Sequence, residues 1–494
     1  MSYLLFWQDT IDHCQSADIN ETLLDHFQVL FLEQLLYPSL LESSDVEGGS
    51  TSAVLTYLCQ ILESLEQPDL VSRILQFLLQ ASPSGVVNTQ PVSLSRRRSI
   101  DALNALAATE SPSPSLFNLR DLTLLGLRSS GEHTVLATLR LVAIVLHYHP
   151  AFANLLIRTV AGRPAKQRTV GAINVELTHN LLPTFIVIND PNSLDISYEN
   201  YIQDASWTIE SRLLHYSSED DCYPPALQLR LLDDPIIHQL LTCLKTFFTN
   251  SVAVNLSLTE VLVSIASSPL ISLDGWLLVD PEKYQYPSSP SDLREQQSTK
   301  NNGDDVLHQI RLAYQIPRWR TDQDIPLLTG MLQKLVGKVE EWRRDVADFD
   351  ILIAARRDVL QDSPPAIETA TMMMMDSPTT RSTLPASPDN VQPHHLTPTT
   401  TTIMNGSTTP QAFQTLSSSK LSQTHEQLRT RLEAPFHQQK EYDGDEGKRV
   451  VEATLGHVLT NIVILHEFLL ELSAVVQVRG ILLGEAGYPD LENS

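Results

Sequence analysis

The fold class follows from residues 451–476, VEATLGHVLTNIVILHEFLLELSAVV, in which apolar side chains recur at alternating spacings of four and three. This spacing is the period of an α-helix with one apolar face, which other helices must cover. The residues on that face are Val451, Leu455, Val458, Ile462, Leu465, Leu469, Leu472 and Val476. The stretch therefore predicts a long helix packed inside a helical protein.

A second stretch has the same rhythm and follows the a and d positions of a coiled-coil seam. Its apolar positions are Ile325, Leu328, Leu332, Leu335, Val339, Trp342, Val346, Phe349 and Ile353. Because the two stretches share one rhythm, we expect the two long helices to pack together or to cap a helical array.

Helical periodicity continues along most of the chain, in paired helices without a fixed repeat period, and strand signals are scarce. This pattern predicts an all-α fold, a degenerate α-solenoid of the HEAT or armadillo kind, with long heptad-patterned helices toward the C-terminus and disordered loops. One helix of the central part is predicted at 150–161. The predicted order is N-terminal helical hairpins (1–80), a disordered loop (81–115), central helical repeats (116–281), a loop (282–323), a long heptad helix (324–360), a mostly disordered linker (361–447) and a C-terminal helix that completes the helical domain (448–482).

Composition limits the partners. Lys and Arg total 34 against 59 Asp and Glu, a formal charge of -25, which argues against a nucleic-acid partner. Four cysteines, Cys14, Cys59, Cys222 and Cys243, lie far apart in apolar helical patterns, as expected of buried thiols in a reducing compartment. We therefore expect a cytoplasmic protein.

The chain begins with an apolar cluster, Leu4 to Trp7, that no positive charge precedes and that Gln8 and Asp9 follow, unlike a signal peptide. No run of eighteen apolar residues occurs. We predict no transmembrane segment, and expect peripheral association with membranes through partners.

The sequence predicts no enzyme: no catalytic residue, no cofactor site and no metal site. A phosphate-binding loop is absent from the sequence, and His466-Glu467 begins a zinc-protease pattern whose second ligand position holds Leu470. We interpret His466 as a helix-face residue. His147 and His149 are interpreted as a helix-end pair that complements the C-terminal dipole.

Arg96, Arg97 and Arg98 precede Ser99 in a Ser- and Pro-rich stretch. Ser99 is a candidate phosphorylation site, because some kinases prefer basic residues before the target serine and phosphate would reverse part of the local charge. The alternative is a solvated basic turn.

Several ordered blocks resemble the Hook-interacting subunit (FHIP) of FTS–Hook–FHIP complexes, especially its fungal members. The blocks are FLEQLLYPSLLESSDVEGG (31–49), AVLTYLCQILESL (53–65), TVLATLRLVAIVLHYHPAF (134–152), NLSLTEVLVSIASSPLISLDGWLL (255–278), DFDILIAARRDV (348–359) and NIVILHEFLLELSAVVQVRG (461–480). Family members usually carry more helical sequence before the position of Tyr3, so we expect part of the N-terminal region to be lacking.

The resemblance implies a non-enzymatic scaffold with three partners: a Hook protein, an FTS-type subunit and an endosomal Rab GTPase. It implies cargo adaptation, in which early endosomes are linked to dynein for retrograde microtubule transport. The family's motifs are folding blocks, so the resemblance transfers no catalytic residues.

An adaptor would bind its partners through a few apolar or aromatic anchors with acidic rims. The candidate anchors are Val339, Trp342, Phe349, Phe468, Leu469 and Leu472, and the alternative for each is internal core packing. A second hypothesis is a helical regulator of a small GTPase in vesicle traffic, for which Arg140 and Arg158 could be offered to the nucleotide. The alternative for both is salt bridging, the more ordinary role of arginine in a helical pattern.

Overall fold

The protein is all-α within the residues that the computed structural model describes, which confirms the predicted fold class. These are residues 2–44, 50–80, 117–157, 159–161, 168–178, 191–217, 229–231, 234–286, 310, 313–320, 324–362, 430–435 and 453–487. The chain forms two compact units, Met1–Asp350 with Asn461–Ser494, and Ile351–Thr460. The arrangement of the helices as a solenoid stays a prediction.

The N-terminal helices begin the larger unit. They are α1 (Ser2–His13), α2 (Ala17–Phe27), a π-helix (Gln28–Leu36), α3 (Tyr37–Glu42), α4 (Ser50–Ser64) and α5 (Pro68–Leu79). The start of α5 follows from its sequence, because the Gln67 side chain accepts hydrogen bonds from the backbone N–H groups of Asp69 and Leu70 and Pro68 occupies the first turn.

The central helices follow. They are α6 (Leu119–Leu127), α7 (Glu132–Tyr148), a 3-10 turn (Pro150–Phe152), α8 (Ala153–Leu156), α9 (Val170–Glu176), α10 (Pro191–Ser217), α11 (Pro235–Lys245), α12 (Val252–Ala266) and a 3-10 turn (Pro281–Lys283). The C-terminal helices are α13 (Leu327–Asp345), α14 (Phe349–Asp362) and α15 (Leu455–Leu482).

Four short strands accompany the helices within the described residues. β1 (Thr159–Ala161) pairs antiparallel with β3 (Leu229–Leu231), with Thr159 opposite Leu231. β2 (Arg168–Thr169) pairs in parallel with β4 (Ala486–Gly487), with Arg168 opposite Ala486. The second pair joins the segment before α9 to the segment after α15.

Helix α7 is the centre of the core and packs against α4, α6 and α12. Leu139, Val142 and Val145 are fully buried, and the other positions from Leu141 to Leu146 are buried as well. A helix that is apolar on nearly all sides must lie inside the protein. Gly126 of α6 permits the closest approach to α7, since a Cβ at this position would lie 2.1 Å from Thr138 Oγ1.

Helix α15 contains most of the stretch 451–476, and its predicted apolar face is buried from Leu455 to Val476. Val451 lies outside the described residues. Within the larger unit, Arg479 is fully buried and donates hydrogen bonds to the backbone carbonyls of Ala266, Ser268 and Ile271, at 2.6, 2.6 and 2.8 Å. These bonds hold the end of α15 against the end of α12.

The continuous helix predicted at 324–360 is wrong. The chain forms α13 and α14, separated by residues 346–348, where Val346 is extended and Asp348 has a φ of 60°. A short acidic side chain tolerates this left-handed conformation, which breaks the helix. The burial pattern that the heptad spacing predicts nevertheless continues after the break, since Phe349, the first residue of α14, is buried.

The helix predicted at 150–161 is also wrong in its second half. After the 3-10 turn and the four residues of α8, Ile157 is extended and residues 159–161 form β1. Ile157 is fully buried, so tertiary packing outweighs the local helical pattern here.

The apolar cluster at the start of the chain divides between two faces of α1. Leu4 and Trp7 are buried, whereas Leu5 and Phe6 are exposed. Helical geometry separates adjacent residues by about 100°, so the four apolar residues cannot share one face.

One helix of the described residues, α15, is long and apolar enough to cross a membrane by length and composition. The protein buries 83% of its most apolar window, as the core helix of a soluble protein would also do. The bent pair Glu132–Tyr148 and Pro150–Leu156 passes the same test when counted as one span.

Three of the four cysteines lie in described residues, and all three are free thiols. Cys59 is buried, as predicted, and burial raises its pKa to about 12. Cys14 and Cys243 are half-buried, and Cys222 lies outside the described residues.

Candidate docking groove

The larger unit carries a groove of about 360 Å³ between α10, α12 and α15, closed at one side by the end of α7. Its lining residues are His147, Tyr201, Asp204, Ala205, Thr208, Arg212, Leu256, Thr259, Glu260, Val263, Ser264, Ser267, Glu471 and Val475. We call this surface the α10–α12 groove.

Helical spacing explains how α10 lines the groove. Asp204, Thr208 and Arg212 are four residues apart and therefore lie on one face. Two tyrosines of the same helix attach it to α15: Tyr201 Oη donates to Glu467 Oε2 at 3.0 Å, and Tyr198 Oη donates to Gln477 Oε1 at 2.7 Å. Burial raises the pKa of both phenols, that of Tyr198 to about 12, so both remain donors at neutral pH.

Arg212 forms part of the groove floor. Its side chain is buried, and an N–H of its guanidinium donates to the Ser264 carbonyl at 2.8 Å. Ser264 lies in the last turn of α12, where a cation is favourable next to the carbonyl end of the helix dipole. The bond therefore ties α10 to α12.

The groove is acidic, because its lining includes Asp204, Glu260 and Glu471. Each of these three residues belongs to a different helix. Burial, together with the charges of Asp204 and Glu260, raises the pKa of Glu471 to about 7. Burial also raises the pKa of Glu260, with the charge of Arg140 acting in the opposite direction. Because the pKa values of both glutamates are raised, their negatively charged forms are unfavourable in the groove when no partner is bound.

Apolar groups lie beside these acids. Leu256 lines the groove and is half exposed. Trp207 does not line the groove, but it is three residues after the lining residue Asp204 on α10, a spacing that makes the two side chains neighbours on the helix surface, and it is 81% exposed. Tryptophan is highly buried on average in folded proteins, and a side chain this accessible is available for contact with a partner. Leu214, two turns further along α10, is also exposed.

Among the groove residues, His147 was named from the sequence, but for another role. A signal was available, since Glu260 is the one charged residue of the helix VAVNLSLTEVLVSIA and Glu471 follows the apolar run FLL. An isolated carboxylate in an apolar helix indicates either a buried ion pair or a functional group. The sequence does not reveal which helices bring the two acids together.

The six predicted anchors occupy different surroundings. Val339, Phe349, Phe468, Leu469 and Leu472 are buried, which is the property of the core alternative, and none of the five offers its side chain to a partner in this conformation. Trp342 is half-buried, with its ring centroid 4.8 Å from that of Phe248. Their role as anchors stays a prediction, and Ser99 lies outside the described residues.

The three histidines that were interpreted from the sequence all lie in described residues. His466 is buried, with Nδ1 3.4 Å from Glu467 Oε1, so it lies on an inner helix face. His147 is in the last turn of α7, and His149 follows the helix. Burial lowers the pKa of both, and Arg212 lowers that of His147 further, so the neutral form is favoured. The predicted position of the pair at a helix end is confirmed, and its role in complementing the helix dipole stays a prediction.

The arginines considered for a nucleotide site differ in what can be described. Arg140 makes two hydrogen bonds of 3.0 Å to the carboxylate oxygens of Glu63, the salt-bridging role that is ordinary for such a residue. Arg158 lies outside the described residues. Among those residues, no three His, Cys, Asp or Glu side chains are arranged to hold a metal ion.

A second group of ionisable side chains lies in the core of the larger unit. Arg168 pairs with Asp274 and donates to the Val279 carbonyl at 3.0 Å and to Tyr284 Oη at 3.2 Å. Glu176 accepts from Tyr284 and from the Val279 backbone N–H. We call this group the Arg168 cluster, and its internal pairing indicates a structural role.

The comparisons with known proteins concern two parts of the chain. Residues 1–127 match the RAI16-like family model, described as retinoic acid induced 16-like protein. This model represents the FHIP family. Residues 233–363 match a family of unknown function, DUF5917. No curated protein matches the chain.

The RAI16-like match covers the first two blocks of the FHIP resemblance, and the second match covers the blocks at 255–278 and 348–359. The N-terminal region is therefore similar to the FHIP family, as predicted. Its assignment to the fungal type stays a prediction.

Proposed function

We propose that the protein is a non-enzymatic adaptor in an FTS–Hook–FHIP type complex. The observation that carries this proposal is the match of residues 1–127 to the RAI16-like model. The all-α framework agrees with a scaffold that presents helical surfaces to several partners.

In this proposal the chain joins a Hook protein and an FTS-type subunit and contacts an endosomal Rab GTPase. It is cytoplasmic and reaches early endosomes peripherally, through these partners, so that dynein engaged by Hook moves the endosome along microtubules. The acidic composition favours association with basic protein surfaces.

Reconstitution tests the proposal. The purified full chain is mixed with a Hook protein and an FTS-type subunit from the same host, and the mass of the mixture is measured by size-exclusion chromatography with light scattering. We expect one complex that contains all three chains. Separate elution of a folded chain, verified by circular dichroism, would overturn the proposal.

A second experiment, with a Rab GTPase, distinguishes an adaptor from a regulator of the GTPase. The chain is incubated with an early-endosomal Rab loaded with GTP or GDP, and binding, exchange and hydrolysis are measured. An adaptor binds the GTP form and leaves both rates unchanged. Acceleration of either rate would contradict the adaptor proposal and favour the regulator.

The binding variants must be chosen on the surface. Leu469→Asp and Leu472→Asp would place charges at buried positions and unfold the chain, so loss of binding would carry no information. Phe6→Ser, on the exposed face of α1, changes a surface and leaves the core intact.

A further inference from the structure

We propose that the α10–α12 groove binds a basic amphipathic helix of a partner protein, whose Lys or Arg side chain enters between Glu260 and Glu471 while its apolar side chains cover Leu256 and Trp207. The inference deepens the proposed function and rests on it, because it assigns a surface and a partner chemistry to the scaffold.

The length of the groove fits a helix. Along α10 its lining runs from Asp204 to Arg212, and along α12 from Leu256 to Ser267. At a rise of about 1.5 Å per residue, these segments span about 12 and 16 Å. This is the length of two to three helical turns, over which an amphipathic helix presents anchors at i, i+3 or i+4, and i+7.

The charge of the groove selects a cation. The titratable and charged groups that face it are Tyr201, Asp204 and Arg212 of α10, Glu260 of α12, Glu467 and Glu471 of α15, and His147 of α7, with Arg140 and Glu63 acting on Glu260. Among the described lining residues Arg212 is the one arginine or lysine, and its guanidinium already donates to the Ser264 carbonyl. A partner cation would balance the carboxylates that remain.

The apolar groups at the groove supply the second half of the recognition. A Lys or Arg side chain carries its charge on an apolar stem, which can cover Leu256 as the charge reaches Glu260 one turn further along α12. Outside the lining, Trp207 is a helix-surface neighbour of Asp204 and offers a rigid aromatic surface, the type of residue that dominates binding energy at protein interfaces. Neither feature would favour an acidic or fully polar segment.

The probe is a labelled synthetic helix of about 18 residues, roughly five turns, with Leu on one face and Lys on its flanks. Two control peptides accompany it: one replaces every Lys by Glu, and the other keeps the composition but scrambles the order. Fluorescence anisotropy with the full chain measures the affinities. We expect the basic helix to bind at least tenfold more tightly than either control.

The matched protein variants locate the binding. Glu260→Gln with Glu471→Gln keeps the groove shape and removes the charge, and we expect at least a tenfold loss of affinity for the basic helix. Glu341→Gln, at an exposed position of α13, is the control for loss of a surface carboxylate and should bind like the parent. Trp207→Ser should weaken binding of the basic helix, while Phe6→Ser should not.

The pH dependence adds an independent readout. The pKa of Glu471 is about 7 in the protein alone, so the carboxylate that pairs with the incoming cation forms as pH rises through that value. Affinity for the basic helix should therefore increase from about pH 6 to pH 8, and the Glu471→Gln chain should lose this increase.

The inference is overturned if the basic helix binds no more tightly than its controls, or if the double Gln variant retains parental affinity. Neither result depends on Hook or FTS. Failure of the reconstitution with intact peptide binding would instead overturn the adaptor proposal and leave the groove assignment standing.

Discussion

The Arg168 cluster and the α10–α12 groove each bring several ionisable side chains together within the larger unit. The two regions differ in the neighbours that those side chains have. In the cluster each ionised group has partners within the protein: Asp274 pairs with Arg168, and Glu176 accepts from Tyr284 and from the Val279 backbone. In the groove Glu471 lies near Asp204 and Glu260, and burial together with the charges of these acids raises its pKa. The cluster is therefore a structural element, whereas we propose that a partner completes the interactions of the groove.

The cluster also explains how distant segments are joined. Arg168 belongs to β2, which pairs with β4 after α15, and its partners lie near residues 274–284. Arg479 makes a similar set of bonds between α15 and the carbonyl groups that follow α12. These two buried arginines therefore fasten the C-terminal helix to the centre of the chain.

The largest expected effect comes from breaking the cluster. Arg168→Met would leave Asp274 and Glu176 buried without their cation, and removal of one partner of a buried pair costs about 3–5 kcal/mol. Urea unfolding monitored by circular dichroism measures this loss. Arg344→Met, at an exposed position of α13, is the control and should change stability by less than about 0.5 kcal/mol. A loss below about 1 kcal/mol in Arg168→Met would contradict the structural role.

A second expected loss of stability concerns the predicted anchors. Leu469→Ala should destabilise the protein by about 2–5 kcal/mol, because Leu469 is buried and its truncation leaves a cavity. Thermal unfolding provides the measurement. Trp207→Ala should leave stability within about 0.5 kcal/mol of the parent, since the indole is already exposed to solvent. If Leu469→Ala were harmless to folding, the core assignment would be wrong.

A smaller effect, of opposite sign, is expected in the groove. The folded-state pKa of Glu471, about 7, is above that of an unfolded glutamate, so the protonated form stabilises the fold. This contribution is fully present below about pH 4.3 and is lost as pH rises through about 7. Glu471→Gln should therefore be more stable than the parent at pH 8, by up to about 2 kcal/mol after allowance for solvent screening.

Urea unfolding at several pH values tests this sign. The stability difference between Glu471→Gln and the parent should grow between about pH 5 and pH 8, whereas that between Glu341→Gln and the parent should stay constant. A Glu471→Gln chain that loses stability at pH 8 would show that this carboxylate has a favourable partner, as the acids of the Arg168 cluster do.

The sequence predicts the helical core well where one face carries a strict apolar period. Leu455, Ile462 and Leu472 are buried as the spacing requires. The spacing does not predict where a helix breaks. The apolar a and d positions continue on both sides of Asp348, although the left-handed backbone conformation of this residue interrupts the helix. The period of apolar residues in the sequence therefore indicates which residues are buried, whereas the continuity of a helix depends on the backbone dihedral angles of individual residues.

The groove could be predicted only in part. Glu260 and Glu471 are conspicuous as charges in apolar helices, but they are far apart in sequence, and tertiary packing brings them to one surface. Trp207 belongs to a helix of mostly polar residues, where nothing in the sequence distinguishes an exposed tryptophan from a buried one. The match of residues 1–127 concerns another part of the chain and does not identify this surface.

The most direct test compares three chains in the recovery of Hook and FTS from host cytosol: the parent, Glu260→Gln with Glu471→Gln, and Glu341→Gln. All three must first give the same circular dichroism spectrum. We expect the parent and Glu341→Gln to recover both partners, and the groove variant to lose the partner that contributes the basic helix. Equal recovery by all three chains would contradict the groove as a docking surface, and recovery by none would contradict the adaptor function.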